Sequence, residues 1–72
     1  MKIVEKKTER GKYYDASEIM NTLISELGTD SNKLLGVEWY YDGKLVVICD
    51  DTMPEDKLTL IKNKIDQLIS SQ

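Results

Sequence analysis

The sequence predicts a small α+β domain of two layers, in which an antiparallel hairpin at Leu34–Cys49 packs against two amphipathic helices. Three observations predict it: an Asp42-Gly43 pair between two runs of β-branched and aromatic residues, two segments with apolar residues at helical period, and a length of 72 residues. A chain of this length has room for one domain. The predicted order is β-α-β-β-α within a single domain, residues 1–72.

The first element is a short strand at Lys2–Glu5, followed by a turn near residues 9–11 and a return through Lys12-Tyr13-Tyr14. Residues 1–14 hold five cationic side chains and two carboxylates, a net charge of +3, so the rest of the chain carries −6 of the total of −3. Residues 1–12 are therefore predicted to be a basic arm or an edge strand. Such a segment can bind nucleic acid, lie against an acidic body, or protect a sheet edge from aggregation. The candidate residues of this arm are Lys6, Lys7, Arg10, Lys12, Tyr13 and Tyr14.

The second element is a helix that ends near Gly28. Asp15 or Ser17 can cap its first free N–H groups, and glycine can adopt the left-handed conformation that ends a helix. A polar loop, residues 29–32, is expected to follow. One apolar stripe indicates the buried side of this helix: Ile19, Met20, Leu23, Ile24 and Leu27.

The hairpin is the strongest local prediction, because Asp-Gly tolerates the positive φ angles of a two-residue type I′ turn. That turn pairs Tyr41 with Lys44, Trp39 with Val46, and Val37 with Ile48. We expect this face to be the core face. The opposite face is also apolar, so the N-terminal arm, a helix or a partner should cover it. It provides the candidate interface: Tyr40, Leu45, Val47 and Cys49.

The last element is a helix that begins near Thr52-Met53-Pro54-Glu55, where Thr52 can cap and Pro54 fits the first turn. Its apolar residues recur at intervals of three and four, so the helix should pack on the sheet or on another helix. They are Leu58, Ile61, Ile65 and Leu68.

No motif in the sequence predicts an enzyme, a cofactor or a metal. Histidine is absent, and the four glycines are isolated, so neither the usual partner of a nucleophilic Cys49 nor a phosphate-binding loop is present. The carboxylates at 50, 51, 55 and 56 are better explained by helix capping than by a cation. A single cysteine, no apolar run near the length of a membrane span, and no apolar leader predict a cytoplasmic protein without membrane insertion.

Two resemblances concern the whole chain. The order strand, helix, hairpin, helix resembles several small two-layer modules, including the core of KH-type RNA-binding domains, but the GxxG loop of that family is missing. Nine lysines against the single Arg10, with many Ile, Asn and Asp residues, are similar to the small orphan proteins of phages and prophages of AT-rich Gram-positive bacteria. This second resemblance implies a small accessory or host-interacting protein with no assigned activity.

These observations together predict a non-enzymatic interaction or accessory protein that acts as a homodimer or binds another protein. Small size favours oligomerisation, because neither a disulfide nor a metal is expected to add stability. One alternative is a nucleic-acid-binding accessory protein, in which the basic arm contacts phosphates and Tyr13 or Tyr14 stacks on bases. A second alternative, based on net charge alone, is an acidic inhibitor of a host nucleic-acid enzyme.

Overall fold

The computed structural model describes residues 1–70 and confirms a small α+β domain with the order β-α-β-β-α. Its elements are β1 (Lys2–Lys7), α1 (Ala16–Leu27), a 3₁₀ segment (Gly28–Lys33), β2 (Leu34–Tyr40), β3 (Lys44–Cys49) and α2 (Glu55–Ser70). The three strands form one antiparallel sheet in the order β1-β3-β2. The hairpin strand β3 is therefore central, and both β1 and β2 lie at sheet edges.

The ends of α1 follow from its sequence. The Asp15 carboxylate accepts hydrogen bonds from the N–H groups of Ser17 at 3.0 Å and Glu18 at 3.3 Å, so Asp15 is the cap. Gly28 follows the helix with φ of +60°, a conformation that glycine adopts without steric cost. The expected polar loop after Gly28 is instead about two turns of 3₁₀ helix, which carry the chain directly into β2.

Two local predictions at the other termini were wrong. Lys12-Tyr13-Tyr14 forms no return strand, because β1 pairs with β3 and the chain then crosses the end of the sheet to α1. Thr52 does not cap α2, since its hydroxyl donates to the Asp50 carboxylate at 2.6 Å. The carbonyl of Pro54 accepts the first bonds of α2, from Lys57 and Leu58.

The predicted register of the hairpin was wrong by one residue. Tyr40 pairs with Lys44, which leaves a three-residue loop of Tyr41, Asp42 and Gly43. A type I′ turn needs positive φ at both central residues, but Gly43 is the only one of the three with positive φ, at +109°. The loop therefore belongs to the three-residue class, which places glycine in its last position. Because side chains alternate along a strand, this shift changes which side chains of β2 and β3 share a face.

The core lies between the sheet and the helices. It contains the side of β2 that was predicted to face the core and the side of β3 that was predicted to form the interface. Leu45, Val47 and Cys49 of β3 have no exposed surface, and Val37 and Trp39 of β2 share their face. The helices complete this core with side chains from their predicted stripes: Ile19, Leu23 and Leu27 from α1, and Ile61 and Ile65 from α2. Tyr14, Val4, Leu34 and Met53 fill the remaining space.

Candidate interaction surfaces

The candidate interface of Tyr40, Leu45, Val47 and Cys49 does not form one surface. The last three are fully buried beneath the helices, whereas Tyr40 is 39% exposed and shares a face with Lys44. Burial in this chain therefore removes three of the four residues from contact with any partner. A partner can reach only the other side of the sheet, which the helices do not cover; we call it the open face.

The open face of the sheet is a grid of three rows that run across the strands. At one end Ile3 and Ile48 pair beside Leu35, and Ile3 and Leu35 are 59% and 53% exposed. A β-bulge between Leu34 and Gly36 lets Leu35 leave the core side of β2. Exposed apolar side chains that lie together often mark an interaction site, so this end of the open face is a candidate for contact with another molecule.

The other two rows of the open face are charged. Glu5 and Glu38 flank Val46, and Lys7 and Lys44 lie in the next row beside Tyr40. The Tyr40 hydroxyl donates to Glu38 Oε2 at 2.5 Å, and Lys44 Nζ lies 4.9 Å from the centre of the Tyr40 ring. The hydrogen bond to Glu38 raises the pKa of Tyr40, because loss of the phenol proton would place two anionic oxygens side by side. The polar groups in these two rows therefore bond within the chain or are exposed to water.

The outer edge of β2 is different, because it has almost no charge. One of its seven residues is charged, whereas four of the six residues of the opposite edge strand β1 are charged. Charged side chains are a common means of preventing strands from pairing at a free edge, and β2 lacks this protection apart from its bulge and Glu38.

Helix α1 extends this weakly charged edge into the second layer. Ala16 and Met20 line the side of α1 toward β2, and Ile24, four residues after Met20 and so next to it on the helix surface, is 40% exposed. A groove of about 430 Å³ separates this side of α1 from β2. Its lining contains no charged residue: Ala16, Ser17, Met20, Asn21, Gly36 and Val37.

Aromatic residues cluster at the end of the sheet near the hairpin loop. The Trp39 ring lies between those of Tyr13 and Tyr41, at centroid distances of 5.2 and 5.8 Å, in edge-to-face contacts. Both tyrosines are exposed, while the indole N–H of Trp39 is buried without a hydrogen-bond acceptor. The backbone of Arg10 passes close to Gly43 in the loop, and the Arg10 side chain is exposed.

The basic arm is dispersed by the fold. Lys7 lies on the open face, whereas Lys6 lies on the helix side and its Nζ is 2.6 Å from an Asp66 oxygen. Lys12 lies over the ring of Tyr14, which is buried in the core and therefore unavailable for stacking. Of the six candidate arm residues, Arg10 and Tyr13 are exposed next to the aromatic cluster.

The remaining chemical candidates have structural roles in the described part of the chain. Cys49 is fully buried, and burial raises the pKa of its thiol, which disfavours the nucleophilic thiolate. The Asp50 carboxylate accepts hydrogen bonds from the hydroxyl and N–H of Thr52, and these bonds lower the pKa of Asp50. Within residues 1–70, no group of three or more acidic or cysteine side chains is placed to hold a metal ion. No helix in this range is long and apolar enough to span a membrane.

Comparisons with known proteins identified no relative of this chain. No protein-family model, no curated protein and no solved structure matches the chain. The edge formed by β2 and α1 is the feature that sequence reasoning missed, although the contrast in charge between residues 2–7 and 34–40 was visible in the sequence.

Proposed function

We propose that this protein is a non-enzymatic interaction protein that functions as a homodimer. The observation that supports the proposal is the position of its exposed apolar side chains. Ile3 and Leu35 lie on the open face, and Ile24 lies on α1 next to a groove between α1 and β2 that contains no charged residue. A domain of 72 residues buries only about 60% of its unfolded surface, so covering such residues adds a useful share of stability.

A second copy of the chain is the partner that fits best. An edge strand with one charged residue, beside a groove without charged residues, can pair with a second copy of itself, since a two-fold axis brings the same surface of both copies together. Helix α1 has 12 residues and is about 18 Å long, so an edge of this length and two layers deep buries on the order of 1,000 Å² in total. This area is at the lower limit for specific interfaces, so the dimer should be weak and dependent on concentration.

Sedimentation velocity over a range of protein concentration tests the proposal. Between about 10 μM and about 1 mM, the weight-average mass should rise from near 8.3 kDa toward twice that value. A mass of 8.3 kDa that does not change across the range would refute the homodimer. Thr59→Lys adds one positive charge at an exposed position on α2, away from the proposed interface. It controls for the effect of added charge alone and should leave the mass profile unchanged.

Nucleic-acid binding is a second candidate, favoured by the exposed Tyr13 and Tyr41 rings next to Arg10. Stacking of bases on these rings, with Arg10 contacting a phosphate, would require binding that weakens as salt increases. Titration of labelled single-stranded DNA into wild type and Tyr13→Ala at low salt tests it. Absence of salt-sensitive binding by the wild type would eliminate this candidate. The acidic-inhibitor hypothesis rests on the net charge of −3 and stays a prediction.

A further inference from the structure

We infer that the dimer forms through the β2 edge, with Val37 of one copy opposite Val37 of the other, so that two three-stranded sheets join into one of six strands. The inference rests on the proposed homodimer and names its interface. Its occupant is the same edge of a second copy, and its starting point is that β2 is a free edge with one charged residue in seven.

Charge decides between this edge and the open face. Packing two open faces together would remove Glu5, Glu38, Lys7 and Lys44 of each copy from water, together with the hydroxyl of Tyr40 that already bonds Glu38. Desolvating four charges per copy opposes association, and the buried centres of interfaces are depleted of charged residues. Joining the β2 edges leaves all these groups on an exposed sheet face.

The backbone of β2 is oriented for this pairing. The carbonyl of Tyr40 accepts the bond from the N–H of Gly43, so it points toward β3 and the loop. Because backbone groups of an antiparallel strand alternate in direction, those of Glu38 also point toward β3, whereas those of Val37 and Trp39 point toward the free edge. At Gly36 no side chain is present, and no atom lies within 4 Å of the position that a Cβ would occupy. The open face above Gly36 therefore has room for the side chain of a residue that pairs with it from a second copy.

Symmetry and charge then select the register. A two-fold axis perpendicular to the sheet must place a residue opposite itself, because each side chain keeps its own face in both copies. An axis at Glu38 would place two carboxylates directly opposite each other, which is destabilising. An axis at Val37 instead places Glu38 opposite the Gly36 position of the second copy. Ladder formation extends little beyond these residues, since the bulge after Leu34 changes the alternation of side chains.

Helix α1 supplies the second half of the interface. The groove that contains Val37 also contains Ser17, Met20 and Asn21, so the same two-fold axis brings the exposed sides of two α1 helices together. Met20 and Ile24 then contact the second helix, with Ala16 allowing close approach. All of these side chains are uncharged, so their burial has no cost from desolvated charge.

Cross-linking through single cysteines tests the interface. The only native cysteine is fully buried, whereas Val37 is half-buried and Asn21 and Ile3 are exposed, so the thiol that each variant adds is more accessible than Cys49. Val37→Cys and Asn21→Cys should yield covalent dimers with a short bismaleimide, at least about tenfold more than Ile3→Cys on the open face. Wild type measures the background from Cys49. Far-ultraviolet circular dichroism checks the fold of each variant, and the exposed Asn21 position provides a test if Val37→Cys does not fold.

Charge substitutions give an independent measurement of the same interface. Ile24→Lys should weaken the dimer at least about tenfold in sedimentation. Ile3→Lys changes the same residue type on the open face, where it is more exposed (59% against 40%), and should change the dimer affinity less than about twofold. A sedimenting dimer that cross-links through Ile3→Cys, or through none of the three cysteines, would overturn the β2 interface while leaving the homodimer intact. A chain that stays monomeric at all concentrations would refute the proposed function itself.

Discussion

The assignment of the core face of the hairpin can be tested by one matched pair of substitutions, Leu45→Ala and Leu35→Ala. Both delete the same atoms from a strand residue, but Leu45 is fully buried whereas Leu35 is 53% exposed. Leu45→Ala loses the transfer free energy and leaves a cavity among packed neighbours, a loss of about 2 to 5 kcal/mol. Leu35→Ala loses about half of a transfer term of about 2 kcal/mol, and solvent fills the space, so its loss is about 1 kcal/mol.

Urea denaturation at low protein concentration, where the chain is monomeric, measures both losses. A domain of this size has an unfolding free energy of about 4 to 11 kcal/mol, so Leu45→Ala should remove a large share of it with an unchanged slope against urea. Equal losses for the two variants, or a larger loss for Leu35→Ala, would refute the register in which Leu45 faces the helices.

Three further predictions concern the loop, a capping carboxylate and the thiol. Gly43→Ala should reduce the free energy of unfolding by about 1 kcal/mol or more, because φ is +109° and the new Cβ would lie 3.1 Å from the Thr8 carbonyl oxygen. Gly28→Ala, whose new Cβ would meet no atom within 4 Å, should reduce it less in the same urea titration. Hydrogen bonds from Thr52 lower the pKa of Asp50, so the folded state gains stability above the ordinary carboxyl pKa and loses it as pH falls through the lowered value. The difference in unfolding free energy between wild type and Asp50→Asn should therefore shrink from about pH 5 to about pH 2. A difference independent of pH would contradict this role of Asp50. Burial of Cys49 predicts that an aromatic disulfide reagent modifies the native thiol far more slowly than the urea-unfolded thiol, and equal rates would contradict the placement of Cys49 in the core.

Local sequence signals predicted the elements, and their physical reasons are short in range. Most of the predicted stripes of α1 and α2 become buried, because a helix in a two-layer domain must cover its apolar side, but Ile24 of the α1 stripe is 40% exposed. Asp15 caps α1 because its side chain reaches N–H groups two and three residues ahead. Such interactions are encoded within a few residues, so they can be derived before any tertiary contact is known.

The core face could not be derived in the same way. Asp42-Gly43 fits both a two-residue and a three-residue loop, and the choice depends on contacts outside the hairpin. In the fold, Gly43 accepts a hydrogen bond at its carbonyl from the N–H of Thr8, which follows β1. A shift of one residue in the register exchanged the partners across the hairpin. On β3 the helices therefore covered Leu45, Val47 and Cys49 rather than the face of Val46 and Ile48.

The candidate site shows the same division between local and tertiary information. Uncharged composition in β2 and the exposed positions of α1 are each visible in the sequence, but their adjacency depends on β2 being an edge strand. That position follows from the pairing of β1 with β3, a contact between residues more than 35 positions apart. Sequence reasoning about residues 34–49 alone could therefore identify an apolar hairpin without identifying its free edge.

Amide chemical shifts in a ¹⁵N-labelled sample, recorded as the protein concentration is raised, test the central claim most directly, because one spectrum reports both association and its location. Self-association through the β2 edge predicts progressive shifts confined to residues 35–39 and to the exposed side of α1 from Ala16 to Ile24, with the amides of β1 and α2 unchanged. Shifts centred on β1 and the Ile3 end of the open face, or spectra independent of concentration up to about 1 mM, would contradict it.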